Sequence, residues 1–188
     1  MPNYCDNVLE ISNLSQKSFE KLIEQHTKQE GQEERTLVFD SIIPVPKKDD
    51  GKPFDDWYNF RVNNCGTKWE PNTYSFEASY DDDDRFIGGD ISIGMSTAWT
   101  PPRGIVRKLS ELFPEAEFRI TYVEPGCCFM GEEHFSNGEQ TYQMYSEDLK
   151  KIKEAYPEYW EFDDEEAEEE SLKSEKVDSL NDPLINNK

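Results

Sequence analysis

Positive charge is scarce in this 188-residue chain: 20 lysines and arginines stand against 41 aspartates and glutamates, giving a formal net charge of −21, and there are two histidines. The deficit opposes direct binding to a nucleic-acid backbone or an anionic membrane, and favours solubility or attraction to a basic partner. No run approaches the roughly 20 apolar residues that cross a bilayer. Met1 is followed by polar residues and Asp6, not by a basic leader and an apolar segment. A soluble, cytoplasmic protein is expected. No sequence arrangement joins His26 or His134 to a nucleophile, so His26, at the end of a helical apolar stripe, reads as structure in preference to a general base.

Paired cysteine knuckles are missing too. The four cysteines fall at 5, 65, 127 and 128. Cys127 and Cys128, as neighbours on a strand, would point to opposite faces, which argues against a shared tetrahedral metal site and for reduced, partly buried thiols. Glu132, Glu133 and His134 do not form HExxH, and Gly88, Gly89 and Gly94 do not form a phosphate-binding Walker sequence, so no cofactor is expected. The run Asp81, Asp82, Asp83, Asp84 offers oxygen ligands for calcium or magnesium. It lacks the 12-residue EF-hand pattern, and a solvated charge run is the preferred reading.

At 22.0 kDa the chain can bury a substantial core, and one domain with an extension is the natural organisation. Residues 161–188 hold 11 of the 41 acids and 3 of the 20 bases, leaving 30 acids and 17 bases in residues 1–160. The acidity therefore belongs to the domain as well as to its end. DDEEAEEE at 163–170 has almost nothing to bury, so residues 161–188 are expected to be a disordered acidic tail on a domain of residues 1–160.

NVLEIS at 7–12 reads as a strand with Leu9 and Ile11 on one face and Val8 and Glu10 on the other. Ser15 can cap a helix whose face is Phe19, Leu22, Ile23 and His26. TLVFDSIIPVP at 36–46 reads as a second strand, cut short by Pro44 and Pro46. DDWYNFRVNNCG predicts a short helix and turn, and YSFEASY at 74–80 alternates as a strand, followed by another in DISIGMSTAW. Pro101 and Pro102 can open a helix with Ile105, Val106, Leu109, Leu112 and Phe113 on its apolar face. Strands follow at 117–126, in CCFMGEEHF and in TYQMYS, the last two joined at Asn137 and Gly138, the favoured hairpin pair. EDLKKIKEAY resumes helical spacing. The pattern is α+β, with two helices covering one side of a mostly antiparallel sheet and additional hairpin strands.

PNYCDN at 2–7, NNCGTKW at 63–69, STAWTPP at 96–102, LSELFPE at 109–115 and YVEPG at 122–126 occur in order across residues 2–135. Together they resemble the YubB or Api92-like proteins, a family of phages and bacterial mobile elements. The resemblance implies a ferredoxin-like sandwich, a βαββαβ-like core with insertions, and carries no agreed catalytic assignment onto these residues.

NNCGTKW then reads as chiefly architectural, with a binding loop as its alternative: Cys65 packed, Gly66 permitting the turn, Trp57 and Trp69 plugging the sheet–helix interface, and Lys68 laying its stem on aromatic surface. Trp99, Pro101 and Pro102 read as a packed strand-to-helix corner, with an aromatic recognition patch as the alternative. The leading function is a non-enzymatic, acidic protein-interaction module. Its expected partner is a basic host protein that handles nucleic acid, engaged by charge mimicry and without direct contact to nucleic acid or membrane. The candidate contact residues are Asp81 to Asp84, Lys68, Trp99, Glu132 and Glu133. Two alternatives remain: a structural or accessory protein, and a metal-dependent enzyme using either a cleft that joins Glu124, Glu132 and His134 or the Asp81 to Asp84 loop.

Overall fold

The computed structural model describes residues 3–30, 34–49, 51–80 and 86–160. The chain divides into a unit of Met1–Asp148 and a second of Leu149–Lys188. Residues 161–188, the expected tail, lie outside the described residues.

The first unit is organised by strand β1, Tyr4–Ser12, three residues longer at its start than the apolar alternation alone indicates. Cys5, Asn7, Leu9 and Ile11 are buried, whereas Tyr4, Val8 and Glu10 are exposed. Asn7 is tolerated there because its side-chain amide donates to the carbonyls of Cys5 and Met95 and to the Thr97 hydroxyl, at 2.8, 3.1 and 2.9 Å. Helix α1, Gln16–His26, starts where the Ser15 hydroxyl accepts from the Ser18 amide, and it buries Phe19, Leu22 and His26. A separate antiparallel ribbon follows, β2 at Thr27–Glu30 and β3 at Glu34–Leu37.

The strand expected over 36–46 is corrected here. Extended backbone stops at Leu37, and Phe39–Ile42 is a single helical turn, α2. The cause is non-local: the Glu70 carboxylate accepts from the Phe39 and Asp40 amides at 2.6 and 3.1 Å, satisfying the donors that a short helix leaves open. Helix α3 runs over Trp57–Cys65 and ends at Gly66, whose φ of 87° is the left-handed cap that glycine adopts without a Cβ penalty.

Strands β4, Asn72–Tyr80, and β5, Phe86–Ala98, lead to helix α4, Arg103–Leu112, then to β6, Glu117–Glu124, β7, Phe129–Ser136, and β8, Glu139–Ser146. Asn137 and Gly138 turn β7 into β8 with φ of 49° and 79°, as the hairpin pair requires. All six long strands form one antiparallel sheet in the order β4-β5-β1-β6-β7-β8. The segment order β1, α1, β4, β5, α4, β6 with β1 and β5 central is the ferredoxin-like arrangement, extended at the β6 edge by a hairpin. Helices α1 and α4 cover one face, where Phe19, Leu22, Ile105, Val106 and Leu109 join Leu9, Ile11, Ile93, Met95, Phe118 and Ile120 in one core. In the second unit, the described residues hold helix α5, Leu149–Ala155, and a 3-10 turn at Pro157–Tyr159.

Cys127 and Cys128 are not on a strand; they sit in the turn between β6 and β7, with Cys128 at a φ of 55°. All four cysteines are free thiols.

The segment 63–69 locks two helices together. A Cβ added to Gly104 would lie 1.8 Å from the Asn64 carbonyl oxygen, so α3 and α4 are in backbone contact at that point. The Thr67 hydroxyl donates to the Ala98 carbonyl at 3.0 Å and accepts from the Ala98 amide at 3.1 Å, and the Thr100 hydroxyl donates to the Gly66 carbonyl. Cys65, Pro101 and Pro102 are buried beneath these bonds.

Candidate functional site

The face of the sheet opposite α1 and α4 is acidic. Strand register places Glu77, Ser92, Glu10, Arg119, His134 and Tyr142 in one row across all six strands. Ser75, Gly94, Val8, Thr121, Glu132 and Met144 form the next row, and Asn72, Ser96, Asp6, Val123, Met130 and Ser146 the third. Glu117, paired with Ser12, adds a further carboxylate at one end. Within these rows Asp6, Glu10, Glu77, Glu117 and Glu132 face a single guanidinium, Arg119. Tyr4, Tyr74 and Tyr142 stand 51%, 51% and 47% exposed, so the same surface carries aromatic contact area.

Arg119 organises the middle of this face. Its Nε and Nη2 donate to the two oxygens of Glu132 at 2.9 Å each, and its Nη1 donates to Glu10 at 2.5 Å. The His134 ring meets Glu132 at 2.6 Å. Arg119 first, and His134 after it, push the Glu132 carboxyl down to about 2, and the same Glu132 bonds raise the Arg119 guanidinium above its ordinary value. The one strong cation is thus held by two of the five carboxylates.

Glu133 does not belong to this surface, which corrects its place among the contact residues. Adjacent strand residues face opposite sides, and Glu133 is fully buried on the helix side. It accepts from Arg103 Nε, from the Tyr122 hydroxyl at 2.9 Å and from Gln140 at 3.3 Å. Burial pushes the Tyr122 phenol above its usual range. Glu124 is buried on that side as well, with one oxygen accepting from the Cys127 amide and the other without a hydrogen-bond partner among the described residues. Glu124 therefore does not converge with Glu132 and His134, which lie across the sheet. Among the described residues, no group of three or more His, Cys, Asp or Glu side chains is arranged to hold a metal ion. Asp81, Asp82, Asp83 and Asp84 lie outside the described residues.

The insertion between α1 and β4 builds a second feature, a cleft of about 580 Å³ walled by Val38, Val45, Pro53, Trp57 and Trp69. The sheet–helix packing expected of Trp57 and Trp69 is corrected: Trp57 is 40% exposed and Trp69 half-buried, and both side chains line the cleft instead of entering the core. Lys68 lays its ammonium over the rings of Trp69, Trp99 and Tyr58 at 4.7, 5.1 and 5.8 Å, a cage of three aromatics. Trp99 sits at the corner between β5 and α4, at a φ of 66° and 37% exposed. Arg61 closes the cleft floor: its Nη2 donates to Glu70 at 2.7 Å and lies 3.4 Å from Asp40.

A family model described as "Ferredoxin-like domain in Api92-like protein" matches residues 73–177, more than half of the chain. The chain belongs to the Api92-like family. The matched span begins in β4, so in this Api92-like chain it takes in the five strands of the acidic face other than β1. Among solved structures, the crystal structure of a protein api92 from Yersinia pseudotuberculosis is similar, at 10% sequence identity and a TM-score of 0.48, covering 78% of this chain and 98% of that one. No curated protein matches.

Sequence reasoning reached Glu132 and Lys68 but passed over Asp6, Glu10, Glu77, Glu117 and Arg119 as a group, and Arg61 with Asp40 and Glu70. The alternation of Val8 and Glu10 against Leu9 and Ile11 was the available signal for the first group. Nothing local marks the second, whose members meet only after α2, α3 and the start of β4 have packed.

Proposed function

We propose that this Api92-like chain is a non-enzymatic interaction module, of phage or mobile-element origin, that engages a basic cytoplasmic host protein which handles nucleic acid. The observation that carries the reading is the open face of the six-stranded sheet, with five carboxylates and one guanidinium on its paired strands and three exposed tyrosines beside them. A sheet face used to bind a nucleic-acid strand needs cations along the phosphates beside its aromatics. Here the aromatics are accompanied by the opposite charge. That combination suits a cationic groove, where carboxylates meet lysines and arginines and tyrosines supply contact area at little entropic loss. Occupying such a groove as a substitute for a phosphate backbone would block its normal ligand.

The metal-dependent enzyme is less well supported, because Glu124 is separated from Glu132 and His134 by the thickness of the sheet. The test is capture from a host lysate at low salt beside an equally acidic unrelated protein. Selective enrichment of a basic protein, released by rising salt, is expected. Equal recovery on both baits would reject the partner class and leave a structural or accessory role; loss of capture on removing residues 161–188 alone would move recognition to the tail.

A further inference from the structure

The cleft between α2, α3 and the residues that lead into β4 has a chemistry unrelated to the acidic face. Its volume of about 580 Å³ is that of a small-molecule site. Aliphatic and indole surface from Val38, Val45, Pro53, Trp57 and Trp69 forms the walls, and Asp40, Lys47, Arg61, Lys68 and Glu70 supply the charge. In a chain of net charge −21, this cleft holds three cations against two carboxylates.

Both carboxylates are already engaged. Glu70 caps α2 and accepts from Arg61 Nη2, while Asp40 accepts from the Val45 amide at 3.0 Å and faces the same Nη2. Neither Lys47 nor Lys68 forms an ion pair among the described residues; Lys68 is held by aromatic rings alone. Arg61 supplies the independent observation: the residue is 9% exposed, and its Nη1 is buried without an acceptor among the described residues. A buried guanidinium nitrogen left unpaired is destabilising; because this atom is shielded from solvent, Arg61 must turn toward the cleft for a ligand's acceptor to reach and relieve it.

We infer that the cleft binds a small planar aromatic carboxylate, its ring stacked between Trp57 and Trp69 and its carboxylate held by Arg61 with Lys47 and Lys68. The aromatic body follows from the two indoles, and the negative group follows from two lysines without an ion pair and a guanidinium nitrogen without an acceptor among the described residues. The inference does not depend on the acidic sheet face, which lies on the far side of the sheet from α4.

The experiment is calorimetric titration of the full chain with three isosteric probes: 2-naphthoate, 2-naphthamide and 2-naphthylmethylammonium. Naphthoate is expected to bind at one site at least about tenfold more tightly than the amide, the difference that a charge-assisted hydrogen bond provides, and the ammonium probe to bind weakest. Lys68→Gln and Lys47→Gln should each weaken naphthoate while leaving the amide nearly unchanged, and Trp57→Ala should weaken both. Arg61→Met removes the partner of two carboxylates and risks unfolding, so the lysine variants carry the decision. Equal affinity for the three probes, no saturable naphthoate binding, or naphthoate binding indifferent to Lys47, Lys68 and Trp57 would each overturn the inference.

Discussion

Replacing Gly104 by alanine sets two effects of known sign against each other. Gly104 lies inside α4, where alanine is favoured over glycine by roughly 0.5–1 kcal/mol because it loses less backbone freedom. Helix propensity alone therefore predicts a more stable protein. The new Cβ, however, would stand 1.8 Å from the Asn64 carbonyl oxygen and 3.1 Å from Cys65 Cα, both backbone atoms that no rotamer change can move. Helix α3 would have to retreat by more than 1 Å, drawing Cys65 out of the core and loosening the Thr67 bonds to Ala98. Forcing atoms into a packed contact typically costs about 1–3 kcal/mol, so the clash outweighs the propensity. At about 2–4 °C per kcal/mol for a chain of this size, the unfolding midpoint of Gly104→Ala should fall by several degrees. Thermal unfolding followed by circular dichroism reads the midpoint, and amide exchange at residues 63–67 reads the displacement. A midpoint raised by two or more degrees would refute the claim that 63–69 is a structural joint seated on α4.

Phe118→Ala should cost about 3–5 kcal/mol, since that ring is buried in the core between sheet and helices, whereas Trp69→Ala should cost clearly less because its ring lines an open cleft; denaturant titration of both variants checks the order, and a larger loss for Trp69 would contradict its placement. Glu132→Gln tests the centre of the acidic face by pH. The folded carboxyl lies at about 2, below its ordinary value of 4.5, so the stability it contributes is present above pH 4.5 and is lost as pH falls toward 2. The gap in midpoint between the parent chain and Glu132→Gln should therefore be widest near neutral pH and close by about pH 2; a gap constant with pH would remove the Arg119 and His134 pairing as its cause.

Much of the sheet was legible because strand alternation is a local signal. The faces of β1 and β6, and of β4 from Ser75 onward, follow from period-two burial, whereas an irregularity between Thr73 and Ser75 takes Tyr74 off the Phe76 face; the hairpin at Asn137 and Gly138 follows from two residues whose backbone preferences fit one turn. Helices α1 and α4 were legible for the same reason at the helical period. The region 36–46 was misread because its N-terminal cap is Glu70, a residue whose distance along the chain no local pattern reveals. Trp57 and Trp69 were misplaced because hydrophobicity indicates that a ring is buried somewhere, not whether it faces a core or a cleft. Glu132 and Glu133 look alike in sequence, yet strand alternation sends one to the open face and the other into a buried network with Arg103 and Tyr122. Asp6, Glu10, Glu77 and Glu117 come from strands that pair across the whole sheet, so their convergence depended on register.

The claim that recognition resides on the open sheet face, and not in acidity at large, is tested most directly by two variants of equal charge. One neutralises Glu10, Glu77 and Glu117 on that face; the other neutralises Glu20, Glu24 and Asp49, which are exposed elsewhere. Affinity for the captured basic partner is measured for both at low and moderate salt. With each face contact contributing about 0.5–1 kcal/mol, the first variant should lose about tenfold or more in affinity and show a shallower salt dependence, while the second should stay close to the parent chain. Equal losses in the two variants would show that net charge alone drives association and would contradict the account.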